Sequence, residues 1–152
     1  MKQRGLFSLS EHLERISEDG DPLEVLATTV DFEYFRGWLV DGLCYGDGAK
    51  GGRPPFDPVS MFKVLILQAQ HNLSDKRMEY MIRDRLSWMR FLDFELGGAT
   101  PDENTIRLFG IRLFGNKPTE AGTLKRVMKA FDWQLHNKGY IPYVWAHVRT
   151  DC

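Results

Sequence analysis

The stretch Leu73–Leu108, LSDKRMEYMIRDRLSWMRFLDFELGGATPDENTIRL, decides how the chain is read. It predicts two helices joined by a glycine-bearing turn. The first opens at Ser74, a residue whose hydroxyl suits an N-cap, and runs through Lys76, Arg77, Met78, Tyr80, Met81 and Ile82 to Leu86. Tyr80, Met81 and Leu86 fall near helical spacing, with Lys76, Arg77, Arg83, Arg85 and Arg90 along the more polar side. The second helix opens at Thr100. Pro101 suits a first helical position, and Glu103, three residues past Thr100, completes a capping box. Two capped helices around a turn, carrying basic side chains, fit a helix-turn-helix-like DNA reader. A helical core with solvated charges fits the same features.

Working outward, the N-terminal side is helical as well. Leu9, Leu13 and Ile16 share a face. Asp21 caps a helix that starts at Pro22, with Leu23, Leu26 and Val30 on its apolar side, and Asp31–Leu43 reads as a third helix burying Phe32, Phe35, Trp38 and Leu39. Residues 46–55 form a Gly/Pro-rich loop, GDGAKGGRPP. Its Gly-Arg-Pro sequence is of the kind that slides an arginine, here Arg53, into a narrow minor groove; a plain loop is the alternative. Asp57-Pro58 then caps Val59–His71, apolar nearly all round and therefore the expected central helix.

C-terminal to the opening stretch, IRLFG occurs twice without a gap, at 106–110 and 111–115. Five residues is no whole number of turns. At roughly 100° per residue the insertion rotates everything after it by about 140°, so it reads as a local duplication rather than a structural repeat. Thr119–Asn137 is a last helix, with Leu124, Val127, Met128, Phe131 and Leu135 inward, Lys125, Arg126 and Lys129 opposite, and Gly139 as its stop.

The chain has 152 residues and a 43% hydrophobic content, enough for one domain with a real core. Net charge is −1, but it is unevenly spread. Up to Tyr45 there are four basic and nine acidic residues; the rest holds 16 basic and 12 acidic. That split permits an acidic protein-facing part and a basic nucleic-acid-facing part. Cys44 and Cys152 are far apart, with no C-x-x-C or histidine cluster, so zinc is not expected and a reduced cytoplasmic setting is. The N-terminus lacks the apolar core of a signal peptide, and no apolar run is long enough to span a bilayer.

GGRPPFDPVSMFKVLILQ, HNLSDKRMEYMIRDRLSWMRFLDFELG, TPDENTIRLF and TEAGTLKRVMKAFD, in that order, resemble the N-terminal domain of bacterial insertion-sequence transposases of the IS-five group. The likeness covers about residues 5–140. It implies an all-α, multi-helix domain over 1–139 with no substantial sheet, acting in the bacterial cytoplasm at the nucleoid. It also implies double-stranded DNA, specifically the element's terminal inverted repeats, as partner, with self-association or pairing with a full-length transposase as a further one. In that family a following RNase-H-like domain uses three carboxylates and divalent metal, Mg2+, to cut and rejoin DNA. No catalytic residue, metal ligand or cofactor is therefore assigned here, and no catalysis is expected of this chain alone. The resemblance favours DNA contact by the basic cluster over solvated or ion-paired side chains: Lys76, Arg77, Arg83, Arg85 and Arg90 as phosphate neighbours, Arg53 as the minor-groove arginine, and Asn104, Thr105 and Arg107 as residues able to reach base edges.

The sequence departs from the family at the doubled segment and after Gly139-Tyr140-Ile141. Family members continue there with Gly-Gln-Ile-Val-Asp-Ala, whereas residues 143–152 read YVWAHVRTDC. Codons permitted for these ten residues, read one nucleotide later, can spell Met-Ser-Gly-Arg-Met-Ser-Gly-Gln-Ile-Val. The first glycine of that string is forced, because the Trp codon ends in GG and Ala codons begin with G. The expectation is a frameshift near Pro142, with 140–152 a non-family tail. Competing readings are a self-association module, an inhibitor of full-length transposase, and a pseudogene product with no selected role.

Overall fold

A computed structural model describes residues 7–43, 55–114 and 121–139. These residues form eight α-helices and one 3₁₀ turn, with no strand among them. In chain order the helices are α1 (Phe7–Glu18), α2 (Pro22–Thr29), α3 (Arg36–Gly42), α4 (Pro58–Gln70), α5 (Asp75–Asp84), α6 (Leu86–Leu92), α7 (Glu103–Phe114) and α8 (Ala121–Asn137). The 3₁₀ turn, Phe32–Phe35, leads into α3. The expected all-α class is therefore observed. The Gly/Pro loop with Arg53, the second copy's Gly115 and the 140–152 tail lie outside the described residues.

α4 is the central helix, as its composition predicts. Asp57 caps it, accepting from Ser60 N, and every residue from Pro58 to Val64 is buried. Around it, five phenylalanines interlock: Phe35 lies 5.4 Å from Phe62, and Phe32 lies 5.7 Å from Phe91 and 6.3 Å from Phe131 (centroid distances). These rings come from the 3₁₀ turn, α4, α6 and α8, so one aromatic cluster joins elements more than ninety residues apart in the chain. Phe35–Phe62 and Phe32–Phe91 meet edge to face, and such pairs add about 1 kcal/mol each beyond their buried area. Lys63 crosses this core, with Nζ donating to Phe91 O at 3.0 Å and to Asp93 Oδ2 at 3.1 Å. It also sits over the Phe32 and Phe91 rings, so its charge is met on every side.

Four expectations are corrected. The helix from Ser74 does not run on to Leu86: Arg85 is extended, at φ −113° and ψ 113°, and splits it into α5 and α6. The break turns Trp88, Met89, Phe91 and Leu92 inward, and their burial outweighs the lost helical bonds. Tyr80 is exposed, and Met78, Met81 and Ile82 form the buried face of α5. The capping box at Thr100 is replaced by an Asp102 cap, whose Oδ1 accepts from Thr105 N at 2.8 Å while its carbonyl accepts from Ile106 N. Asp31–Leu43 is likewise divided between the 3₁₀ turn and α3, with Phe32, Phe35 and Leu39 buried and Trp38 only half-buried. The expected Ser74, Asp21 and Asp57 caps all form. Gly139 follows α8 at φ +85°, a left-handed geometry that glycine adopts without strain.

The duplicated pentapeptide enters α7 as one uninterrupted helix. Ile106 is fully buried and its copy Ile111 is 42% exposed; Leu108 is 54% exposed and its copy Leu113 is buried. A five-residue shift at helical pitch puts equivalent residues on different faces, and α7 buries 106, 109 and 113 at helical spacing.

Candidate nucleic-acid interface

α5 and α7 pack side by side, and a carboxylate fixes how they meet. Glu79 on α5 accepts from Glu103 N, the first amide of α7, at 2.9 Å through Oε2. Its other oxygen accepts from Arg83 Nη2 at 2.8 Å. One side chain thus satisfies an orphan amide of α7 and holds Arg83 beside the start of that helix. Asp102 and Glu103 place acidic side chains at the same end. Their negative charge offsets the positive pole of the α7 dipole there.

The predicted contact residues divide by where the structure puts them. Lys76, Arg77 and Arg83 lie on the exposed face of α5, with the Arg77 guanidinium 5.1 Å from the Tyr80 ring centroid. Asn104 and Arg107 are exposed on the first turns of α7, and Arg107 Nη2 donates to Asn104 Oδ1 at 3.0 Å. Thr105 is half-buried beside them, its amide taken by the Asp102 cap. The Glu79 link brings Arg83 and the α7 set together. Arg85 belongs elsewhere: it lies over Trp88, at 5.7 Å, and faces a groove shared with α2, His71 and Leu135.

Arg90 has a role that its place in the sequence does not reveal. Its guanidinium donates to Asp21 Oδ2 at 2.7 Å, Ser17 Oγ at 2.9 Å and Leu13 O at 3.2 Å. Asp21 is buried and also accepts from Leu23 N as the α2 cap. Arg90 thus pins α1 and α2 to α6, with both of its Nη atoms engaged within the protein.

Arg36, at the start of α3, bridges Glu33 and Asp57. The hydrogen bond from Arg36 lowers the Glu33 pKa, and both carboxylates raise that of Arg36. A second basic surface, which the sequence shows only as the polar side of the last helix, runs along α8, where Lys125, Arg126 and Lys129 are exposed.

Among the described residues no three His, Cys, Asp or Glu side chains lie where they could share a metal ion. Among the same residues no helix is long and apolar enough to cross a membrane. A search of curated proteins and a search of solved structures each returned no match. A family model described as Transposase domain (DUF772) matches residues 10–112, from α1 into the second IRLFG copy.

Proposed function

The chain belongs to the transposase-domain family, and on that premise we propose that it is the DNA-binding N-terminal domain of an insertion-sequence transposase of the IS-five group, docking α7 at the element's terminal inverted repeats. The observation that carries this reading is the Glu79 link. It sets the exposed Asn104–Arg107 pair of α7 next to the basic face of α5. Lys76, Arg77 and Arg83 supply phosphate contacts, which position the domain without reading sequence. Asn104 and Arg107 carry the amide and guanidinium groups that pair with adenine and guanine edges in a major groove, once their mutual hydrogen bond is exchanged for the bases. Arg90 is left out of this surface because both of its Nη atoms bind α1 and the Asp21 cap of α2.

The test is a salt titration of binding to a terminal-repeat duplex. Each neutralised phosphate contributes about 0.9 to the log–log slope, so Lys76→Gln with Arg77→Gln lowers it by about 1.8. Arg107→Ala costs about 1–3 kcal/mol on the repeat and little on a scrambled duplex. A flat slope for the unaltered protein overturns the proposal.

A second reading, self-association through α7, draws on the exposed Leu108 and Ile111 beside Arg107 and Arg112. Light scattering separates the two: an oligomer indifferent to DNA, lost on Leu108→Gln, favours the module. The codon relation in residues 143–152 supports a frameshift near Pro142. The gene's nucleotide sequence tests it, with a catalytic-domain frame expected downstream and the absence of one counting against it.

A further inference from the structure

Between the 3₁₀ turn, α3 and α8 lies an open groove of about 400 Å³, lined by Tyr34, Trp38, Arg126, Lys129, Ala130 and Trp133. It is remote in sequence from the α5–α7 surface, and its α8 wall falls beyond the matched residues 10–112. Its composition is unusual for a solvent face. Tyr34 is 57% exposed and Trp133 is 63% exposed. Tyr34 and Trp38 meet edge to face at 5.3 Å, and the Arg126 guanidinium stands 6.0 Å from the Trp38 ring centroid. No carboxylate lines the groove. Its nearest chain neighbour Glu33 is held by two hydrogen bonds from Arg36, and Asp132 is half-buried and does not line it.

The walls are anchored. Gln134 Oε1 accepts from Asp31 N at 2.7 Å, and Gln134 Nε2 donates to Asp31 O at 3.3 Å. Below them, Phe131 packs against Phe32 and Phe35 in the core. The exposed rings therefore stand on a fixed base.

Flat apolar faces next to cations, without acids, are complementary to a polyanion that offers unstacked bases. We propose that this groove binds single-stranded DNA, with a base stacking on Trp133 and flanking phosphates neutralised by Arg126 and Lys129. Duplex DNA hides its base faces inside the stack and presents only edges and phosphates, so it cannot use these rings. The site is distinct from the duplex-reading surface proposed above and stands or falls independently of it.

The probe is a fluorescently labelled oligothymidylate, which has no secondary structure, followed by anisotropy with the full chain. Trp133→Ala is expected to weaken binding about tenfold, in line with stacking worth roughly 1–3 kcal/mol per base. Trp133→Phe keeps a stacking ring and restores most of it. Arg126→Gln with Lys129→Gln lowers the salt slope by about 1.4, from roughly 0.7 per phosphate on a single strand. Because all three side chains are exposed, these variants fold, and Trp133→Ala leaves terminal-repeat duplex binding unchanged. The proposal is overturned if the unaltered protein does not bind oligothymidylate, if Trp133→Ala binds it as well as the unaltered protein, or if sedimentation shows a dimer of the unaltered chain that Trp133→Ala converts to monomer.

Discussion

Arg90 and Arg77 look alike in the sequence, two basic residues on a polar helix side, yet the structure gives them opposite situations. Arg77 reaches over an exposed tyrosine, whereas Arg90 satisfies a buried carboxylate that also caps α2. Removing Arg90 strands Asp21 without a counter-charge. Arg90→Ala should cost about 3 kcal/mol, the lower end for breaking a buried pair, since the arginine is itself partly exposed. Urea unfolding measures this. The salt slope of DNA binding by the folded variant should stay as it was, which separates an internal anchor from a phosphate contact. Glu33 makes a pH-dependent contribution of known sign. The Arg36 hydrogen bond lowers its folded pKa, so its stabilisation is present above the unfolded value of about 4.3 and is lost as pH falls through the folded value. The pair is exposed, and its worth is below about 1 kcal/mol. Glu33→Gln should therefore be slightly less stable than the unaltered chain at pH 7, and the two should converge as the pH falls below the folded value in parallel thermal melts.

At the scale of elements, α7 is where local signals and tertiary demands part. Thr100, Pro101 and Glu103 spell a capping box, but Pro101 is buried and the helix starts two residues later, where Glu79 can receive Glu103 N. Asp102→Ala should thus cost about 1 kcal/mol and Thr100→Ala close to nothing, a contrast that far-UV melts of the two variants would expose. Gly110 is the second lever. It sits inside α7, and a Cβ there would meet only Leu65 Cδ2, at 3.9 Å, an ordinary contact. Gly110→Ala removes a helix-interior glycine without a clash and should stabilise by about 1 kcal/mol, raising Tm by roughly 3 °C. A lowered Tm would mean that α7 needs that glycine for a closer approach than the structure has. The split at Arg85 follows the same logic. Nothing in RDRLSW forbids a continuous helix. Only the pull of Trp88, Phe91 and Leu92 toward the core breaks it, and that pull exists only once α4 and the 3₁₀ turn are in place.

For the molecule as a whole, helical class, the central position of α4 and three N-caps were legible because each rests on spacing within a dozen residues. The Arg90–Asp21 pair and the Gln134–Asp31 clasp were not, because their partners are 69 and 103 positions apart and periodicity carries no such distance. The aromatic groove was hidden for the same reason, since its two walls meet only in the folded chain. Those long links imply that the described helices unfold together, although α8 lies beyond the matched family segment. Phe131 tests this. From α8 it reaches Phe32, Phe35 and Phe62, and it is 6% exposed. Phe131→Ala should cost about 3–5 kcal/mol, a large share of the roughly 5–15 kcal/mol that holds a domain, and lower Tm by about 10 °C. If α8 is part of one cooperative core, helix content by far-UV dichroism and aromatic packing by near-UV dichroism fall at the same shifted temperature. An early loss of helix signal with the aromatic signal intact would instead make α8 an appendage docked on a domain that folds without it, and the clasp at Gln134 would then be the joint that opens.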